Sequence, residues 1–164
     1  MTPLHSASVN EHRDVASILL RRGANPNSLD DLGRAPLHRV SRGEQLIVIQ
    51  SSLEIARLLV NSGADANVSE NKDRTPLHVA TKRGYGGIVQ LLLGSGASLE
   101  IRNERQETSL YPSCVYGKFD VARLLIDLGS DINSREIHDF TALRSTSKFG
   151  HLDVVRLCWT MALI

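Results

Sequence analysis

A six-residue phrase that returns at a fixed interval constrains this chain more than any other feature. Its best copy is Thr75-Pro76-Leu77-His78-Val79-Ala80. Helix physics explains the order of the phrase. Thr75 is a favoured N-cap, and its hydroxyl is expected to accept a first-turn backbone N–H. Pro76 suits the first helical position, where its missing N–H would be unpaired anyway. Leu77 and Ala80 fall three apart on one face, and the small Ala80 lets a second helix approach. A further apolar run, Ile88, Val89, Leu91, Leu92 and Leu93, ends at Gly94-Ser95-Gly96, where glycine accepts the left-handed backbone that stops a helix. The unit should therefore be helix, tight turn, helix, glycine stop.

The phrase recurs as Thr2-Pro3-Leu4-His5-Ser6-Ala7 and Ala35-Pro36-Leu37-His38-Arg39-Val40, and its frame returns at Thr108 and Thr141. The offsets are 35 − 2 = 33, 108 − 75 = 33 and 141 − 108 = 33. A glycine-alanine-polar-x-asparagine ending recurs with it, in Gly23 to Asn27, Gly63 to Asn67 and, with Ser130 for alanine, Gly129 to Asn133; Gly96 to Glu100 departs at its last residue. Phrase, glycine stops and period together resemble the ankyrin repeat. The resemblance spans essentially the whole chain. It implies an all-α, helix-turn-helix solenoid with short β-hairpin-like loops between repeats, a single array over 1–164. Its units would be 2–34, 35–74, 75–107, 108–140 and an incomplete 141–164.

Departures from the ruler carry the individuality. Ala35 to Thr75 is 75 − 35 = 40, seven more than the period, and the excess falls between Val40 and Ser51. Either the first helix lengthens by about two turns, or Gly43 ends it and the rest forms a loop. Leu46, Ile47, Val48 and Ile49 would then pack on neighbouring helices or stand open as a partner patch. In repeat one, Val15, Ile18 and Leu19 are expected to face inward. Repeat four has lost the proline and histidine, and Pro112 should be tolerated near the start of its helix. Cys114 falls where a small buried residue is wanted. The chain runs apolar from Leu157 to Ile164, unlike a polar capping helix. Truncation of a longer array, end-to-end self-association and a covering partner each account for that end.

Composition narrows the classes. A formal net charge of +1 and aromatic content of 4% argue against duplex-binding and base-stacking nucleic-acid proteins. No apolar run reaches the roughly 20 residues of a membrane helix. Met1 runs directly into the first repeat, and two cysteines without a secretory signal favour reduced thiols. The expected location is intracellular, cytoplasmic or nuclear. His5, His38 and His78 share one register, but equivalent positions in stacked helices lie about 10 Å apart, too far to share a zinc ion. They are expected to hydrogen-bond one repeat to the next. No nucleophile elbow, phosphate loop or carboxylate pair appears, so neither catalysis nor a cofactor is expected.

The resemblance also implies where a partner would sit. Family contact positions flank the hairpin glycine and close the first helix. Carried onto this chain they give a strip that is basic in repeats two and three, with Arg34, Arg42, Lys72, Arg74, Lys82 and Arg83. It continues through Arg105 to Tyr116, Phe140 and Phe149. Asp73, Gln106 and Asp139 replace the glycine in three of the four turns, which makes those tips less ideal. Basic charge beside aromatic anchors suits an acidic protein segment with a few apolar side chains; solvated charge that keeps the face wet is the plainer reading. The expected function is a non-catalytic protein–protein interaction module or scaffold. Its rival is the recognition arm of a larger multidomain enzyme or ubiquitin-ligase-type assembly. The resemblance further marks Asn67 as a candidate for asparagine hydroxylation.

Overall fold

The period becomes a translation in space. The computed structural model describes residues 1–43 and 49–161, and these contain ten helices in five pairs. The inner members are α1 (Pro3–Val9), α3 (Pro36–Arg42), α5 (Pro76–Arg83), α7 (Leu110–Val115) and α9 (Ala142–Phe149). The outer members are α2 (Arg13–Arg21), α4 (Ile49–Asn61), α6 (Gly86–Gly94), α8 (Phe119–Asp127) and α10 (Leu152–Met161). Each inner helix packs on the next inner helix and each outer on the next outer, giving two layers with the core between them. No strand forms among the described residues, where the β-structure is one isolated bridge, Arg135 to Thr141. The phrase leucines Leu4, Leu37, Leu77 and Leu110 are fully buried, as are Leu59, Leu92 and Leu125 of the outer layer. Each such side chain stabilises the fold by roughly 1.5–3 kcal/mol.

The departures resolve unevenly. In repeat two, α3 keeps the seven residues of α1 and stops at Gly43, whose φ is +49°. The first helix therefore does not lengthen. Instead α4 has 13 residues against nine in α6 and α8, absorbing part of the excess in the outer layer. Residues 44–48 lie outside the described ones, and with them the packing of Leu46, Ile47 and Val48. The terminal Ala162, Leu163 and Ile164 also lie outside. Pro112 is the third residue of α7, inside the first turn, where no intrahelical N–H bond is lost.

Repeat one corrects an expectation. Leu19 is half-buried against the core, but Val15 is 48% and Ile18 59% exposed. Val15 shares its register with Ile55, Ile88, Val121 and Val154, all at most 2% exposed. Those four sit on outer helices that each pack on an earlier outer helix, whereas α2 is the first outer helix described. Amphipathic spacing identifies an apolar face, not whether a neighbour covers it.

The candidate interaction surface

The strip is held in register by three sets of hydrogen bonds. The first is a histidine ladder. Nδ1 of His78 accepts from the backbone N–H of Thr75 at 3.2 Å, and Nε2 reaches the carbonyl of Glu107 at 3.0 Å in the next repeat. A backbone N–H only donates and a carbonyl only accepts, so the ring is the neutral tautomer with its proton on Nε2. His5 and His38 repeat this geometry onto Arg34 and Arg74 carbonyls, each at 2.8 Å. Burial lowers the pKa of His38 and His78, and the Arg74 and Glu107 carbonyls only partly oppose it. The Thr75 hydroxyl also meets His78 Nδ1, at 2.9 Å, within the capping box at the start of α5. Thr141, with no histidine three residues on, accepts the first-turn N–H of Arg144 with its hydroxyl. In repeat four Tyr111 takes the histidine's place, and its hydroxyl reaches Ser145 Oγ at 2.7 Å across to the last repeat.

The second set shapes the hairpin tips. Asp30, Glu70, Asn103 and Glu136 are buried at one register, and the amino-acid sequence gave no hint of their role because four residues of three types share it. Asp30 Oδ1 accepts from the N–H groups of Leu32 and Arg34 at 2.9 and 3.0 Å, and Asn103 and Glu136 repeat the pattern in their own turns. Burial pushes the Asp30 carboxyl upward, but the Arg34 guanidinium and the two N–H groups outweigh it and hold the pKa at about 2. All four turns close alike, and Gly33, Asp73, Gln106 and Asp139 all take positive φ, between 54° and 70°. The glycine-less tips thus keep the shape at the cost of a strained residue.

The third set joins the tips. Asn71 N–H donates to Leu32 O, Glu104 to Lys72 O and Ile137 to Arg105 O, at 2.8–3.2 Å. Side chains one repeat apart are thereby lined up along one edge.

Two adjoining hollows lie between these tips and the inner helices. The smaller, about 110 Å³, is walled by Arg34, Arg42, Arg74, Lys82 and Arg83. The larger, about 570 Å³, takes in Lys72, Arg74, Lys82, Arg105, Tyr116, Phe140 and Phe149. Arg74, His78 and Lys82 belong to both. All ten residues of the expected strip therefore line one continuous surface. Their states differ. Arg34 is bound through Nε and Nη2 to Asp30 at 2.9 and 2.8 Å, and Arg74 is paired with Glu70, so part of each charge is spent inside its own turn. Lys82 Nζ stands 4.6 Å from the Tyr116 ring centroid, linking the basic hollow to the aromatic one. Glu104, Glu107 and Lys148, which also fall at family contact positions, line the larger hollow as well, together with Tyr111, which does not. Arg144 sits 3.9 Å from the Phe140 ring.

Comparison with known families fits this geometry. The model for ankyrin repeats in three copies matches residues 22–103 and again 45–136, and the single ankyrin repeat model matches 1–31. The chain belongs to the ankyrin repeat family. Ankyrin repeats are in general protein–protein interaction modules and typically non-catalytic. Among the described residues no helix is long and apolar enough to cross a membrane. The ankyrin endings also acquire a role: Asn67 donates to Gly96 O at 2.9 Å and accepts from Ser98 N–H at 2.8 Å, bridging to the following repeat. Asn27 does the same with Gly63 O and Asp65 N–H. Glu100, where the ending departs, accepts from Asp131 N–H at 3.2 Å. As a carboxylate it has no proton to donate to the Gly129 carbonyl.

Proposed function

We propose that this ankyrin array binds an acidic protein segment along the face formed by its hairpin tips and inner helices. In this reading carboxylates meet the basic hollow of repeats two and three, while apolar side chains enter the larger hollow beside Tyr116, Phe140 and Phe149. The observation that carries it is that ten residues, drawn from four tips and from four inner helices with their caps, line two hollows sharing Arg74 and Lys82. Stacked repeats turn separated residues into one surface, and charge complementarity supplies orientation and speed of encounter.

The test is selection from a displayed peptide library. The expected winners are acidic peptides with one or two aromatic or aliphatic residues, bound more weakly as salt rises. Arg83 is exposed, so Arg83→Glu should weaken them about tenfold without harming the fold. Arg74→Glu is a poorer probe, because it would set two carboxylates together at the Glu70 turn. Selection of peptides without acidic bias, or unchanged binding by Arg83→Glu and Lys82→Glu, would sink the proposal.

A further inference from the structure

The chain has two cysteines, and they touch. Cys114 Sγ on α7 lies 3.8 Å from Cys158 Sγ on α10, 44 residues further along, and both residues are fully buried. Packing alone does not call for sulfur at either place. The register of Cys158 holds leucine in the other four outer helices, at Leu19, Leu59, Leu92 and Leu125. The register of Cys114 holds serine or threonine in every other inner helix. At this one junction, between the fourth and fifth repeats, both positions have become thiols.

We propose that Cys114 and Cys158 are an oxidation site, converted by a peroxide into an intrachain disulfide that staples the last repeat to the fourth. In the first step the Cys158 thiolate attacks a peroxide oxygen, the O–O bond breaks, and the departing hydroxide is protonated to water, leaving a sulfenic acid. The Cys114 sulfur then attacks that sulfenic sulfur, loses its proton and releases a second water. In sum, two S–H bonds give one S–S bond, and one hydrogen peroxide is reduced to two waters. Chemistry at the pair favours this order. The two sulfurs share a hydrogen bond in which either S–H can donate; that contact draws the Cys158 pKa down, while the same contact and burial push Cys114 up. An S–S bond of about 2.05 Å requires the sulfurs to close the remaining gap by side-chain rotation and a small shift of α10.

Burial makes the site conditional. A peroxide reaches these thiols only when α9 and α10 lift from α7 and α8, the local opening that repeat arrays permit. Once formed, the bond restrains that same opening. Helix α9 carries Lys148 and Phe149 of the larger hollow, so oxidation would also hold that wall in place. This last consequence rests on the proposed binding face; the disulfide itself does not.

The test uses the full chain, folded, treated with hydrogen peroxide and then alkylated in denaturant. Two free thiols are expected before treatment and none after, with the Cys114 and Cys158 peptides joined and both thiols restored by dithiothreitol. The oxidised form should melt roughly 5 °C or more above the reduced form. Thiols that stay alkylatable, sulfinic acid in place of a disulfide, a link between chains, or a disulfide without a rise in melting would each overturn the proposal. Cys114→Ser, which installs the residue of repeats one and two, should form no disulfide and leave Cys158 as a sulfenic acid trapped by dimedone; if that variant fails to fold, Cys158→Ala should leave Cys114 an alkylatable thiol. Peptide binding is read separately. Equal binding by the oxidised and reduced forms would remove the regulatory consequence alone, and no binding by either form would overturn the proposed face.

Discussion

Repeats three and four occupy neighbouring places in the same stack and are held there by different chemistry. Repeat three keeps the full phrase, with His78 tying Thr75 to the Glu107 carbonyl. Repeat four has Ser109, Tyr111 and Pro112 where repeat three has Pro76, His78 and Val79, yet α7 packs between α5 and α9 as α5 packs between α3 and α7. What persists is the buried leucine, Leu77 or Leu110, and one polar reach into the next repeat. The fold thus requires a fixed volume and a cross-repeat hydrogen bond, and either an imidazole or a phenol can supply the latter. The same boundary divides the candidate surface: tips and helices with intact phrases carry its basic part, and the worn repeats carry its aromatic part.

Several substitutions would break or sharpen this contrast. The largest effect is expected in the shared core. Leu77→Ala should cost about 2–5 kcal/mol in urea unfolding, whereas Leu143→Ala, at the same register but half-buried, should cost about 1 kcal/mol. Equal losses would mean the last repeat is as well packed as the third.

Next come the cross-repeat bonds. His78→Ala leaves the buried Thr75 N–H and Glu107 carbonyl without their partner and should cost about 1–3 kcal/mol. Tyr111→Phe removes only a hydroxyl whose partner, Ser145, can turn elsewhere, and should cost about 0.5–1.5 kcal/mol. A larger loss at Tyr111 would reverse the ranking of the two ties.

Acid should act on the histidine side. The folded pKa values of His38 and His78 lie below the ordinary value of 6.5. The unfolded chain therefore binds protons first as pH falls. Stability is complete above about pH 7 and declines through and below 6.5 until the folded rings also protonate. Melting temperatures between pH 7.5 and 5 should show this decline, and His38→Gln with His78→Gln should flatten it. The Asp30 contribution, with its pKa held at about 2 against 3.8, is present above 3.8 and is lost only as pH falls toward 2.

The smallest effects should be gains where a repeat departs from the pattern. Glu100→Asn restores a donor for the Gly129 carbonyl and should add up to about 1 kcal/mol. Gln106→Gly relieves a φ of 60° and should add about 0.5–1 kcal/mol. A loss from either in thermal melts would show that its neighbours have already adapted to the present residue.

Much of the architecture was legible beforehand because it repeats. The shared third place of Leu4, Leu37, Leu77 and Leu110 in each copy of the phrase announces one buried face, and His5, His38 and His78 announce one ladder. The tip anchors were hidden for the opposite reason. Asp30, Glu70, Asn103 and Glu136 do one job with different side chains, and only the backbone N–H groups around them reveal it. Positions in the candidate strip were readable through the family's pattern; the pairing of Arg34 with Asp30 and the stacking of Lys82 on Tyr116 were not.

Periodicity by itself determined the class of fold and the register of the core, because a helix pair that buries one face must stack on a copy of itself. Tertiary structure alone decided which apolar residues are covered. Val15 and Ile55 are equivalent in sequence, but Ile55 is on a helix packed against an earlier outer helix, whereas α2 is the first outer helix described. It likewise decided that two cysteines 44 residues apart should meet at 3.8 Å. Burial and contact depend on the neighbour that the stack supplies, and a residue's own spacing carries no record of that neighbour.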